Sequence, residues 1–293
     1  MASLKEIRVR IISVRSTQKI TSAMKMVSAA KLRRAQTTII KFRPYAKNLT
    51  NLLNNVISSR TEDKKNPLEE IRKEENVLIV MITSNKGLCG GFNNNVIKLT
   101  ESLLQSTYQT QHQQNKVQFI CIGRKANEYL QRKKYPIYSI HNDILDTCTF
   151  EKVAAIAENI MQQFIDKKID KVEIVYSRFK NAGTQLFVNQ SYLPIAFDEN
   201  ENQASNTDYI FEPDKEQLYE QMIPLFIKTK LYQAVLESLA SEHGARMTAM
   251  HKATENANDL IKELNLTYNK LRQASITNAL IEMVSAAESL NTN

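Results

Sequence analysis

Glycine and proline are scarce. The 293 residues hold six of each, and because both interrupt helices for backbone reasons, their placement carries information. Neither occurs in the first 43 residues, every glycine but Gly244 lies between Gly87 and Gly183, and no proline follows Pro224. Two long terminal helices flanking a turn-rich middle is the economical reading. No apolar run reaches the roughly 18 to 20 residues that a membrane-spanning helix needs. The start, MASLKEIRVR, lacks the apolar centre of a signal peptide, and its pattern continues unbroken into the first helix, unlike a detachable transit peptide. Cysteine is limited to Cys89, Cys121 and Cys148, far apart and without CxxC spacing, which argues against a disulfide framework or a zinc site and for reduced core thiols.

Acidic residues are nearly missing from one end. Residues 1–47 carry twelve Lys or Arg against the single acid Glu6, whereas Leu225 to Asn293 is balanced with seven of each sign. Such asymmetry points to an acidic partner surface for the N-terminal helix, and composition alone leaves protein, nucleic acid and lipid headgroup open.

Read in sevens, the N-terminal segment presents one seam series of Leu4, Ile11, Gln18, Lys25, Leu32, Ile39, Ala46 and Leu53. The second series is Ile7, Val14, Thr21, Ser28, Ala35, Phe42, Leu49 and Val56. Alternating spacings of three and four in one register over this length predict a coiled-coil helix, apolar at both ends and polar or small from Gln18 to Ser28. Pro44 is expected to bend it without necessarily ending it. The C-terminal segment repeats the spacing through Met250, Ala253, Ala257, Leu260, Leu264, Thr267, Leu271 and Ala274. Backwards, Leu239 and Leu236 continue it, with Arg246 and His243 at the intervening seam positions. About 65 to 70 helical residues span roughly 100 Å, wider than an ordinary domain. Two such helices can cover each other as an antiparallel pair, and the tip beyond the pairing needs another protein around it.

The middle reads as alternating strands and helices. Strands are predicted at 77–82, 117–122, 172–176 and 185–189, with helices from 96 to about 114, over 124–134 and over 150–165. The fold class is therefore α/β: a long antiparallel two-helix coiled coil from the terminal helices, with a central Rossmann-like domain on a mostly parallel sheet. The expected division is 1–58 for the N-terminal helix, 76–197 for the α/β domain and 214–290 for the C-terminal helix. Residues 60–75 and 198–214 read as linkers.

The turn Ser84-Asn85-Lys86-Gly87-Leu88-Cys89-Gly90-Gly91-Phe92-Asn93 is the place to look for a phosphate cradle. Its spacing matches neither GxGxxG nor GxxxxGK[ST], and a tight strand-to-helix connection whose glycines supply positive φ explains it as well. Cys89 beside Lys86 lacks the His base and orienting group of a catalytic thiol. His112, His141, His243 and His251 show no metal spacing, and His243 and His251 lie too far apart for the zinc-protease pair. No catalytic residue, cofactor site or metal site is predicted. A nucleic-acid clamp is the alternative from another class. Against it, the positive residues spread around a helix with a long apolar seam, and aromatic stacking residues are absent from residues 1–41. A solvated coiled-coil face with an acidic protein partner is the better reading.

Four blocks go beyond pattern. The run Ser16-Thr17-Gln18-Lys19-Ile20-Thr21-Ser22-Ala23-Met24-Lys25-Met26-Val27, continuing to Lys31-Leu32-Arg33, closely resembles the N-terminal helix of F-type ATP synthase γ subunits. Tyr268-Asn269-Lys270-Leu271-Arg272-Gln273-Ala274-Ser275-Ile276-Thr277 resembles their C-terminal signature. Ser84 to Asn93 looks like the family's S-D-R-G-L-C-G-G-F-N turn, and Leu236 to Met250 looks like its E-x-x-A-S-E-x-x-A-R-M-x-A-M block. The blocks stand in the family's order and span the chain.

The resemblance implies a non-catalytic rotor: an antiparallel coil inside a ring of three α and three β subunits, one γ per three α-β pairs. The α/β domain and lower coil would meet the ε subunit and the c-subunit ring. Proton or sodium flow would turn the rotor during ATP synthesis, and hydrolysis would reverse it. Carried across by motif, Met24 and Lys25 face the β levers, Arg272, Gln273 and Thr277 engage catch loops of the sleeve, and Arg246 is a further coupling position. Tyr209 and Glu212 match the foot on the c ring. The expected location is peripheral, on the cytoplasmic face of a bacterial inner membrane, touching it only through the c ring. No nucleic-acid partner and no cofactor are implied. The chain departs from the family pattern at Ala279, where an acid is usual, at Ala286, where a small Gly is expected, and at Asn85-Lys86 for Asp-Arg. It has no inserted cysteine pair of the plant type, so thiol regulation is not expected.

Overall fold

The computed structural model describes residues 3–58, 66–195 and 214–291; Tyr209, Glu212 and most of the second linker lie outside the described residues. The chain divides into two compact units, Met1–Val27 with Met247–Asn293, and Ser28–Arg246. The two longest helices, α1 (Leu4–Ser58) and α6 (Lys215–Asn291), contribute to both.

Helix α1 starts at a capping box. The Ser3 amide donates to Glu6 Oε2 at 2.9 Å and the Glu6 amide to Ser3 Oγ at 3.2 Å, which satisfies two otherwise orphan donors. Pro44 lies inside the helix, and the Ile40 carbonyl that loses its partner belongs to a residue 67% exposed, where water can replace the missing bond. Every buried residue of α1 (Ile7, Ile11, Thr21, Ser28, Leu32, Ile39, Ala46, Leu49, Leu53 and Val56) occupies a predicted seam position. The seven-residue register is thus the burial pattern of the helix.

In the unit Met1–Val27 with Met247–Asn293 the helices run antiparallel. Ile7 and Ile11 cluster with Leu264, Thr21 bonds Thr254, and Lys25 meets His251, so numbers rise on one helix as they fall on the other. The lower C-terminal register differs from expectation. Thr267 is exposed and Tyr268 packs with Leu260, Leu264 and Leu271, because an α-helix drifts against a strict seven-residue repeat and the larger apolar side chain captures the seam.

The unit Ser28–Arg246 is built on a five-stranded sheet in the order β3-β2-β1-β4-β5. Its strands are β1 (Val77–Ile82), β2 (Val117–Ile122), β3 (Ile137–His141), β4 (Lys171–Phe179) and β5 (Gln185–Leu193). All neighbours are parallel except β4 and β5, which form an antiparallel pair. The two-residue period sends alternate side chains into two cores. One core gathers Leu78, Val80 and Ile82 with α5 (Phe150–Ile165), the Leu49–Val56 stretch of α1 and the Tyr219–Leu239 stretch of α6. The other gathers Val77, Ile79 and Met81 with α2 (Phe92–Gln105) and α4 (Arg124–Lys133).

Two expectations change here. Strand β3 was not predicted: it is a half-exposed edge strand directly after α4, with no buried apolar run to mark it. The helix expected from 96 to about 114 breaks into α2 and α3 (Gln109–Gln113), because buried Tyr108 leaves the helical path and donates its hydroxyl to Glu173 Oε1 at 2.8 Å. In the first linker, Pro67–Glu69 forms a capped 3-10 turn, and buried Leu68 accepts the Ile195 amide at 3.1 Å.

Candidate functional site

The turn after β1 is filled by its own groups. The Ser84 amide donates to Asn93 Oδ1 at 3.0 Å, Ser84 Oγ lies 2.7 Å from the Lys86 carbonyl, and Asn93 Nδ2 donates to Cys89 Sγ at 3.2 Å. Cys89 and Phe92 are buried against Ala245 of α6, with Phe187 of β5 beside them. Only Gly90 among the three glycines of the turn has positive φ, at 60°, and the non-glycine Leu88 takes the other left-handed position at 62°. The expectation that glycines supply the positive φ therefore holds at one position.

Helix α6 closes on the turn from outside. Arg246 Nη2 donates to the Lys86 carbonyl at 2.8 Å, and Nε and Nη2 reach the Gly87 carbonyl at 3.3 Å each. Its Nη1 meets Glu242 Oε1 at 2.6 Å, one helical turn earlier, and both side chains are about nine-tenths buried. Gly244 lets α6 pass close to the β4–β5 connection, since a Cβ there would stand 3.2 Å from the Ala182 carbonyl oxygen. Burial pushes the Glu242 carboxyl upward despite the opposing pull of Arg246 and Lys31. Burial and the same two cations push neighbouring His243 down to about 4. The backbone carbonyls here point at a fixed cation, an arrangement that holds a loop in place. Beside the turn, a cleft of about 330 Å³ is lined by Gly87, Gly90, Lys125 and Arg132 among others.

The polar window of α1 faces α6 within the other unit. Thr254 Oγ1 donates to Thr21 Oγ1 at 2.8 Å. Lys25 Nζ donates to His251 Nδ1 at 3.2 Å, and the far ring nitrogen of His251 stands 3.5 Å from Glu255. Met24 and Lys25 are half-buried. The opposite side of α1 shows Val9, Ile12, Ile20, Met26 and Val27 to solvent, each at least 58% exposed.

From Arg272 to Ala287 every residue of α6 is exposed. Arg272, Gln273 and Thr277 stand there, with Thr277 Oγ1 bonded to the Gln273 carbonyl at 3.0 Å. So do Ile276, Leu280, Ile281, Met283 and Val284, all more than half exposed. A run of large apolar residues with nothing over it within its unit marks a surface made for another chain. The predicted residues accordingly fall into separate places: Met24 with Lys25 in the polar window, Arg272, Gln273 and Thr277 along the bare tip, and Arg246 against the turn. Tyr209 and Glu212 are not among the described residues.

Sequence reasoning missed the partners. Glu237, Glu242, His251 and Thr254 are among the residues that make the polar contacts of α6, and the available signal was acids set among small and apolar residues in Leu236-Glu237-Ser238-Leu239-Ala240-Ser241-Glu242, with Arg246 four residues on. Among the described residues no group of His, Cys, Asp or Glu could hold a metal ion, and no helix is long and apolar enough to cross a membrane.

A family model described as ATP synthase matches residues 3–290. The chain is 49% identical over 292 residues to the ATP synthase gamma chain of Christiangramia forsetii, covering 99% of this chain and 100% of that one. It is 50% identical over 291 residues to the gamma chain of Flavobacterium johnsoniae, with the same coverage. Among solved structures it is similar to a chain of the central stalk and c-ring structure of Tetrahymena thermophila mitochondrial ATP synthase. That match has a TM-score of 0.57 and 27% identity, over 80% of this chain and 99% of that one. A chain of the Euglena gracilis mitochondrial enzyme shares the fold at TM-score 0.69 and 23% identity, over 98% of this chain and 94% of that one.

Proposed function

The chain belongs to the ATP synthase gamma chain family, and from that premise we propose that it acts as the central rotor stalk of an F-type ATP synthase, coupling ion-driven rotation of a c ring to ATP synthesis and hydrolysis to ion pumping. It catalyses neither reaction itself. The observation that supports this reading is the exposed apolar end of α6, Ile276 to Val284, in a chain akin to gamma chains over its full length; a sleeve of α and β subunits is the cover we propose for it.

In this role one copy serves three α-β pairs. Met24 and Lys25 meet the β levers, Arg272, Gln273 and Thr277 engage the sleeve, and Arg246 contributes to coupling. Tyr209 and Glu212 form the foot on the c ring, and the ε subunit binds the α/β domain of residues 76–197. The protein is peripheral, on the cytoplasmic face of a bacterial inner membrane, without a cofactor or nucleic-acid partner of its own. A rotor must contact each sleeve position in turn without a deep well at any one, because transmission depends on differences between contacts. Small Ala274 and Ala279, on the exposed end of α6, suit shallow contacts.

Co-expression with the α and β subunits of the same organism tests the reading. One copy per three α-β pairs by mass, with ATP hydrolysis lost or uncoupled when Gln273 and Thr277 are both replaced by Ala, is the expected outcome. Elution of the chain apart from an intact α-β assembly rejects it.

A further inference from the structure

Glu237 is a carboxylate in an apolar setting. Its side chain is 4% exposed, and its neighbours Ala234, Val235, Leu236 and Ala240 on α6 are buried. Three side chains converge on it within the unit Ser28–Arg246. Arg43 of α1 places Nη2 3.6 Å from Oε1, Arg178 of β4 places Nε 3.9 Å from Oε2, and Gln233 Nε2 donates to Oε1 at 3.3 Å. Arg43 Nη2 also reaches the carbonyl of Phe179, the last residue of β4, at 3.4 Å. Two further ties run alongside: Ser241 Oγ donates to the Ser177 carbonyl at 3.1 Å, and Phe42 packs edge-on against Tyr232 with ring centres 5.0 Å apart.

A leucine at 237 would pack the same space without the cost of a buried charge, and replacing buried ion pairs by apolar residues is often neutral or stabilising. What an apolar residue lacks is direction. The carboxylate stays within ion-pair distance of both guanidinium groups only while α1, β4 and α6 keep one relative rotation and register. Turning either helix about its axis against the sheet would strand a charge in a low-dielectric site.

We propose that Glu237 is a positioning residue in the rotor: its carboxylate keys α1 and α6 to strand β4, so that in this unit the sheet cannot turn independently of the helices when load is applied. The proposal rests on the rotor reading above. It assigns Arg43 and Arg178 as the two wards of the key, acting through Glu237 and touching no nucleotide.

The test uses the assembled complex in sealed vesicles, measuring ATP hydrolysis alongside ion uptake, followed as protons and in parallel as sodium. Glu237→Gln keeps the shape and the Gln233 contact while removing the charge. It is expected to lose ion uptake while retaining hydrolysis. Arg178→Gln is expected to behave alike, and the double variant to lose no more than either alone, since one key is broken in all three. An unchanged ratio of uptake to hydrolysis in Glu237→Gln overturns the proposal, as does a parallel fall in both activities, which is the mark of a purely structural role. Should Glu237→Gln fail to assemble, Arg43→Gln, with its side chain 48% exposed, gives the same readout, and full coupling there overturns the proposal equally. If the wild-type complex hydrolyses ATP without any uptake, the rotor reading itself fails; coupled wild type with coupled variants sinks only the key.

Discussion

At the scale of single residues, the middle of α6, where Arg246 packs on the turn, concentrates most of the sensitivity. Replacing Arg246 by Ala leaves Glu242 buried without its cation and frees the Lys86 and Gly87 carbonyls. A loss of about 3 to 5 kcal/mol is expected, read as a lower thermal midpoint of the assembled complex, with Lys recovering part of it. Gly123, at φ 109°, has room for no side chain, since a Cβ there would stand 2.5 Å from the Thr83 carbonyl oxygen. Gly123→Ala is therefore expected to destabilise by more than the roughly 1 kcal/mol of an ordinary glycine replacement at positive φ, measured by denaturant titration. His243 makes stability depend on pH. Its folded-state value, pushed down to about 4 by burial, Arg246 and Lys31, lies below the ordinary 6.5. The unfolded chain then binds a proton that the folded chain refuses, so stability is full above 6.5 and falls as pH drops towards 4, by up to about 3 kcal/mol. Glu242, raised by burial, works in the opposite direction over the carboxylate range. His243→Gln should flatten the decline between pH 6.5 and 4 while leaving the Glu242 contribution, a difference that parallel melts of both proteins would show.

At the scale of elements, the helices divide their work by what their seams contain. The apolar layer of Ile7, Ile11 and Leu264 supplies cohesion, and a Leu264→Ala change is expected to cost about 2 to 4 kcal/mol, seen as loss of helical signal from the terminal unit at lower temperature. The Thr21-Thr254 and Lys25-His251 layer is held by hydrogen bonds, which are directional and individually modest. Its contribution is register: converting Thr254 alone to Val should cost little stability because Thr21 keeps its bond to the Gln18 carbonyl. In the sheet, β1 is buried from end to end and so reads as one apolar run, whereas β3 alternates half-exposed and exposed positions. That difference explains why the first was legible and the second was not.

At the scale of the whole molecule, the chain carries more apolar surface than it covers. With Ile276, Leu280, Ile281, Met283 and Val284 bare, the purified chain alone is expected to aggregate, and truncation after Leu271 should improve its solubility while abolishing assembly-dependent activity; light scattering of both forms decides this. The sequence by itself determined the long helices, their shared seven-residue register, the α/β middle and membership of the family, because periodicity, glycine placement and contiguous motifs are local properties that survive without a structure. Only the tertiary structure decided that Thr267 yields its seam place to Tyr268, that Ile137–His141 joins the sheet edge, and that Arg246, a seam residue by spacing, is spent on the carbonyls of a turn 159 and 160 residues away. Those outcomes depend on which groups are left to compete for one buried space or one cation, and the linear order of residues does not bring the competitors together.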